Sequence, residues 1–235
     1  MLQLKEKVLV SWSGGKDSAL ALYEILKGQN YQISGLLTTV TEGFDRISMH
    51  GVRRVMLERQ ADALGLPVET VFISKECSNK EYESKMRRLL QNHRSAGVFS
   101  VVFGDVFLED IRKYRENNLA RLGMKGLFPI WNRDSHTLAK VFLDVGFKAV
   151  VTCVDLDALD RSFVGRGFDE QFLSELPHGV DPCGENGEFH SFVYDGPIFK
   201  KEVSYCLGEI VLRDERFCYC DLIPDQKDNP STSSY

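Results

Sequence analysis

Six consecutive residues, Ser13-Gly14-Gly15-Lys16-Asp17-Ser18, carry the densest chemistry in the chain. Gly14 and Gly15 let the backbone turn tightly and approach an anion with no Cβ in the way, so that successive N–H groups point at its oxygens. Lys16 adds a point charge, Ser13 and Ser18 add hydroxyl donors, and Asp17 can cap a helix or reach a magnesium ion. The apolar run VLVSW ends just before them, with Ser11 in it, and a helical pattern over 17–27 follows. The positive end of that helix's dipole would therefore face the same anion. Strand, glycine turn and helix in succession is an arrangement that holds phosphate, whereas a plain flexible turn with an ordinary cap has no need of this context. The spacing before Lys16 excludes the nucleoside-triphosphatase loop G-x-x-x-x-G-K-[ST].

Other candidates lie further along. The second strand pattern ends in LLTTVTEGFDRISMHG, a polar, glycine-containing stretch of the length of a loop that closes over a nucleotide, with Thr38 and Thr39 near its start and His50 at its far side. The strand pattern VFSVVFGD ends in Gly104-Asp105, and Glu109 stands four residues on; if a helix has begun there, the two acids share a face and could hold magnesium, a ribose or an amine. In GENGEFHSFVYD, an extended 188–194 puts Glu188 and His190 on one face, with Glu185 in the turn ahead. A carboxylate beside an imidazole suits proton transfer from an attacking amine, metal binding, or orientation of the histidine.

These residues need elements to hold them. Strand patterns at 7–11, 32–38, 68–72 and 100–103 alternate with helical ones at 17–27, 50–64, 79–94 and 108–122. Such alternation predicts an α/β fold, a parallel sheet with helices on both faces and ligands at the carboxyl ends of its strands. The texture changes after residue 127, with Pro129 and Trp131 at the junction, a helix at 134–145, a strand at 147–153, a helix at 168–176 and a strand-like end. The expected division is a nucleotide-binding domain over 1–130, a smaller α+β substrate domain over 131–224, and a disordered tail over 225–235.

Composition narrows the class. No apolar run reaches the length of a membrane span and the N-terminus lacks a signal peptide's pattern, so a cytoplasmic location without membrane partners is expected. A net charge of −5 over 235 residues argues against a broad grip on nucleic acid, and the basic runs at 85–88 and 112–115 read as solvated helix faces. The six cysteines are scattered and are expected as thiols; Cys218 and Cys220 fall on one face of a half-buried strand.

SGGKDS resembles the SGGxDS signature of the PP-loop ATP pyrophosphatases, which cleave ATP between its α and β phosphates. Together SGGKDS, GDVFLEDIR, FPIW and GENGEFHSFVYDGPIF resemble the diphthine–ammonia ligase family and its bacterial adenine nucleotide alpha hydrolase-like relatives, in order and up to about residue 223. The resemblance implies an ATP-dependent ligase in which a carboxylate is adenylated, pyrophosphate leaves and ammonia then displaces AMP; magnesium is expected beside the loop, and the acceptor is a carboxylate or carbonyl on a small molecule or a protein. The resemblance places the phosphates on Ser13 to Ser18, with Glu185, Glu188 and His190 facing them from the second domain. The residues themselves put adenosine near Thr38 and Thr39, a substrate or phosphate contact at His50, nucleotide contacts at Ser11, Gly104 and Asp105, magnesium on Asp17, Asp105 and Glu109, and catalytic roles on Lys16 and Asp17 beside Glu185, Glu188 and His190. A homodimer is compatible with it. Archaeal and eukaryotic members tend to read GEGGEYET where this chain has GENGEFHS, a departure that favours the bacterial branch and puts diphthine as substrate in question. A sulfur-transferring tRNA enzyme and a non-catalytic nucleotide sensor are the alternatives.

Overall fold

In a computed structural model that describes residues 5–43, 45–47, 51–74 and 76–225, the first half of the chain forms the expected parallel sheet. Strands β1 (Glu6–Ser11), β2 (Tyr31–Thr41), β4 (Val68–Ile73), β5 (Val98–Val102) and β6 (Lys125–Leu127) lie in the order β4-β2-β1-β5-β6. A two-residue strand β3 (Arg46–Ile47) turns back antiparallel on the end of β2. Neither β3 nor β6 stands out in the sequence, because both are too short to show an alternation.

Helices α1 (Lys16–Gly28), α2 (Arg54–Leu64), α3 (Asn79–Ser95) and α4 (Glu109–Ala120) connect the strands. Strand alternation decides which face each residue serves: Val8 and Val10 join the core under α1 and α2, whereas Leu9 joins the core under α3 and α4 with Leu90 and Leu119. Gly28 ends α1, and Gln29 takes the left-handed conformation that closes its C-terminus. Helix α4 begins only at Glu109, so Asp105 precedes it and the four-residue spacing does not form a helical turn.

The second half comprises α5 (Ser135–Asp144), β7 (Lys148–Asp155), a 3-10 turn (Arg161–Phe163), α6 (Glu170–Glu175), β8 (Phe189–Asp195), β9 (Tyr205–Arg213) and β10 (Phe217–Pro224). Its strands form an antiparallel sheet in the order β8-β7-β10-β9. Asp134 and Asp169 cap α5 and α6 by accepting from Thr137 and Phe172 N–H. Phe142, Phe163, Phe168, Phe172 and Phe189 interlock against the sheet, mostly edge to face. Cys218 and Cys220 are buried on one face of β10, as ordinary half-buried strand residues, and all six cysteines are free thiols.

The two sheets share one apolar core, in which α1 and α2 meet β7, β8 and β10. Polar clamps fix their register. Val193 N–H donates to Gly14 C=O at 2.9 Å, and Lys200 N–H donates to Ala63 C=O at 2.8 Å. Asp221 on β10 accepts from Arg46 on β3 and from Arg53 at the start of α2.

Candidate active site

Strand β1 delivers Ser11 to the carboxyl edge of the parallel sheet, and the chain turns there through Trp12 to Gly15 into α1. Gly14 adopts φ +79°, and a Cβ on it would lie 2.6 Å from Gln60 Oε1, so both the turn and the packing demand glycine. The Gln60 amide is fully buried. Its oxygen accepts from Trp12 Nε1 (3.0 Å), and its nitrogen donates to the carbonyls of Gly14 (2.9 Å) and Val193 (2.6 Å). The Gly14 carbonyl, held by Gln60 and Val193, is thereby tied back into protein. Gly15 occupies the N-cap position of α1 without a side-chain cap, and Ser13 and Ser18 bring their hydroxyls within 3.3 Å of each other beside it.

Lys16 is buried, yet its ammonium is well supplied with acceptors: Asp17 Oδ1 and Oδ2 at 2.9 and 2.8 Å, and the Cys183 carbonyl. Burial alone would lower its pKa, but the charges of Asp17 and its neighbours outweigh that and hold Lys16 above its ordinary value. The Lys16 backbone N–H donates to Ser191 Oγ at 3.2 Å, so β8 touches the loop directly. Gly104, at the end of β5, packs so tightly on the first turn of α1 that a Cβ there would meet Asp17 and Ser18 backbone at 2.7–2.8 Å.

A cavity of about 380 Å³ opens over this loop. Ser11, Ser13, Gly15, Lys16, Asp17, Ser18, Thr38, Thr39, Gly104 and Asp105 line it from the parallel sheet, and Cys183, Glu185, His190 and Ser191 from the second half. Gly14 lies behind the lining. His50 is outside the described residues. Two expected residues are elsewhere: Glu109 is an exposed residue paired with Lys113 at 3.3 Å, and Glu188 points into its own loop. The Glu188 carboxylate accepts from the N–H groups of Asp181 (3.1 Å) and Asn186 (3.0 Å) and from the Asn186 side chain (2.8 Å). It shapes the GENG turn that presents Glu185.

Glu185 lies across the cavity from the loop, accepting from Val106 N–H at 2.8 Å. Burial pushes its pKa up to about 7; the Val106 hydrogen bond opposes that rise, and the charges of Asp17 and Asp105 add to it. Burial, with the Lys16 charge, brings His190 down to about 4, so its imidazole is neutral near pH 7. Burial holds the Cys183 thiol at about 12.

Some lining residues were not legible as site residues. Tyr82, Met86 and Arg87 on α3 and Tyr114, Arg115 and Asn118 on α4 wall the far side. The basic runs at 85–88 and 112–115 are therefore not simply solvated faces. Arg115 pairs with Asp105 at 2.8 Å over the Phe103 ring, and Arg112 stacks on Phe128 and Trp131. Only the i, i+3 spacing of Arg112 and Arg115, which sets them on one face of α4, hinted at these contacts.

A nucleoside triphosphate fits this donor set. The loop offers an uncapped helix start, two hydroxyls and a buried ammonium. Thr38 Oγ1, buried in the cavity wall at the end of β2, has no hydrogen-bond partner among the described residues and is placed to meet a ligand. No cluster of three metal-ligating side chains occurs among the described residues.

Comparison with known proteins identifies the family. The diphthamide synthase N-terminal domain model matches residues 6–126 and the diphthamide synthase C-terminal domain model matches 134–221. Diphthine–ammonia ligase of Danio rerio is 28% identical over 86% of this chain and 88% of its own length, and that of Bos taurus 27% over 85% and 82%. The Schizosaccharomyces pombe enzyme of that name is 25% identical over 95% of this chain, which spans only 40% of it. The solved U34-tRNA thiolase NcsA from Methanococcus maripaludis, with its [4Fe-4S] cluster, superposes at a TM-score of 0.36 with 16% identity, covering 62% of this chain and 59% of its own. From the SGGKDS loop through the GENG turn, this chain belongs to the diphthamide synthase family.

Proposed function

We propose that the chain is an ATP-dependent amide ligase that forms AMP and pyrophosphate, joining ammonia to a carboxylate or carbonyl acceptor. The observation that carries this is the meeting, in one cavity, of the phosphate loop from the first sheet with Glu185 and His190 from the second half. On this reading residues 1–130 hold the nucleotide and 131–224 present the proton-transfer groups. The positive end of α1, the Lys16 ammonium and the Ser13 and Ser18 hydroxyls take up the charge that builds on the departing pyrophosphate. Lys16 would trade part of its contact with Asp17 and Cys183 for phosphate oxygens. Asp17 and Asp105 are the cavity carboxylates that would reach a magnesium ion carried in on the triphosphate, each by giving up part of its pairing with Lys16 or Arg115; exposed Glu109 does not fit.

Among the three candidate bases the geometry favours Glu185. Glu188 is committed to its own turn, and His190 at about 4 is too weak a base to draw a proton from an attacking amine near neutral pH. Glu185, near 7, is matched to that task, and neutral His190 is suited to donate or accept a hydrogen bond at the acceptor. The Glu-Thr to His190-Ser191 replacement bears on the acceptor side, since Ser191 grips Lys16 N–H while His190 faces the cavity. Sulfur transfer is disfavoured, because the one cysteine in the cavity lining is held as a thiol.

The test is the product of ATP turnover with magnesium and ammonium, supplied either with diphthine-bearing elongation factor or with a pool of small carboxylates. AMP with pyrophosphate is expected, and the stimulating supply identifies the acceptor class. ADP with phosphate would refute the reading.

A further inference from the structure

Strand β9 closes one edge of the antiparallel sheet, and its apolar side chains are left uncovered. The sheet face that buries Cys218, Cys220 and Leu222 (0%, 5% and 0% exposed) continues onto β9 through their partners Leu212, Ile210 and Leu207, exposed at 49%, 41% and 53%. The core face therefore runs one strand beyond its cover. Val211 on the opposite face is 42% exposed. Long apolar edges of this kind are what natural sheets usually blunt with charge, proline or a covering element.

We infer that this edge pairs with the same edge of a second copy, antiparallel about a two-fold axis at Val211. The register is argued from the sequence of β9 itself. A register shift at Gly208–Glu209, opposite Asp221, interrupts regular pairing on that side and leaves Ile210 to Arg213 in regular register, with Glu209 joining that stretch from the edge of the shift. Centred on Val211, that stretch is self-complementary: Glu209 faces the second copy's Arg213, Ile210 faces its Leu212, and Val211 faces its equivalent. Each opposite pair shares a face, so two Glu–Arg pairs form on one side and Ile210 and Leu212 of both copies close the core on the other. Centring the axis on Glu209 would set like charges directly against each other. The two four-stranded sheets become one continuous sheet. The cavity lies at the opposite edge, where β8 carries His190 and Ser191, so both sites stay open.

Sedimentation equilibrium on the full chain tests this. The wild type is expected as a dimer at micromolar concentration. Glu209→Arg, which sets Arg against Arg twice, should weaken the dimer by about tenfold or more, and Glu209→Arg with Arg213→Glu should restore it. Leu212→Lys should also give monomer, with circular dichroism and ATP cleavage unchanged. A wild type monomeric at high micromolar concentration overturns the inference, as does a dimer whose affinity neither substitution alters. Neither result touches the ligase reading, which rests on product identity.

Discussion

Gly14 and Gln60 show how much of the loop's conformation is held by one contact. The left-handed φ of Gly14 and the 2.6 Å approach of Gln60 Oε1 leave no room for a Cβ. Gly14→Ala should cost about 1–3 kcal/mol of stability and raise the apparent KM for ATP, measured by thermal melting and by ATP–pyrophosphate exchange. Glu185 gives a second prediction at this scale. A base must be deprotonated to act, so amide formation, expressed per free ammonia, should rise with pH through about 7 and level off above it. In Glu185→Gln that limb should vanish and the rate fall by about 10²–10⁴-fold, with ATP binding retained. The stability sign is opposite. A carboxyl whose pKa is raised by burial costs the folded state progressively as pH climbs from its ordinary 4.5 to about 7, so Glu185→Gln should flatten the loss of stability across that window in urea titrations.

At the scale of elements, two clamps fix β8 and β10 against the parallel sheet. Gln60 on α2 binds Trp12, Gly14 and Val193 at once, and Gln60→Leu leaves a buried indole N–H and two carbonyls short of a partner. A loss of about 2–4 kcal/mol in urea unfolding is expected. Asp221 joins β10 to Arg46 and Arg53. Burial alone would raise its pKa, but hydrogen bonds from Arg53 and Arg46 and their charges bring it down to about 2. A depressed carboxyl stabilises above its ordinary 3.8 and loses that contribution as pH falls towards 2. Asp221→Asn should therefore be less stable than wild type at pH 7, and the gap should close between about pH 4 and 2. The regular elements themselves were legible, since 7–11, 68–72, 79–94 and 134–145 all match within about two residues. The failures have a physical cause. The acids at 105 and 109 were expected on one helical face, but α4 starts only at Glu109.

At the scale of the whole molecule, the apolar core shared by the two sheets keeps the GENG turn beside the SGGKDS loop. Lys16→Ala should abolish AMP release while leaving the circular dichroism spectrum unchanged, because Lys16 serves the site more than the core; an active variant would remove it from the mechanism. The sequence alone determined the glycine turn between strand and helix at residues 13–18 and the alternating strands. Those depend on local physics: glycine's freedom at positive φ, the start of a helix, the period of apolar residues. The tertiary structure decided that Glu188 serves its turn while Glu185 faces the cavity, that Arg115 neutralises Asp105, and that Ser191 meets Lys16. The Lys16–Ser191 contact joins residues 175 positions apart, and the Val106–Glu185 contact joins residues 79 apart. No local pattern encodes such meetings, because the side chains are brought together only when the two sheets bury their common core.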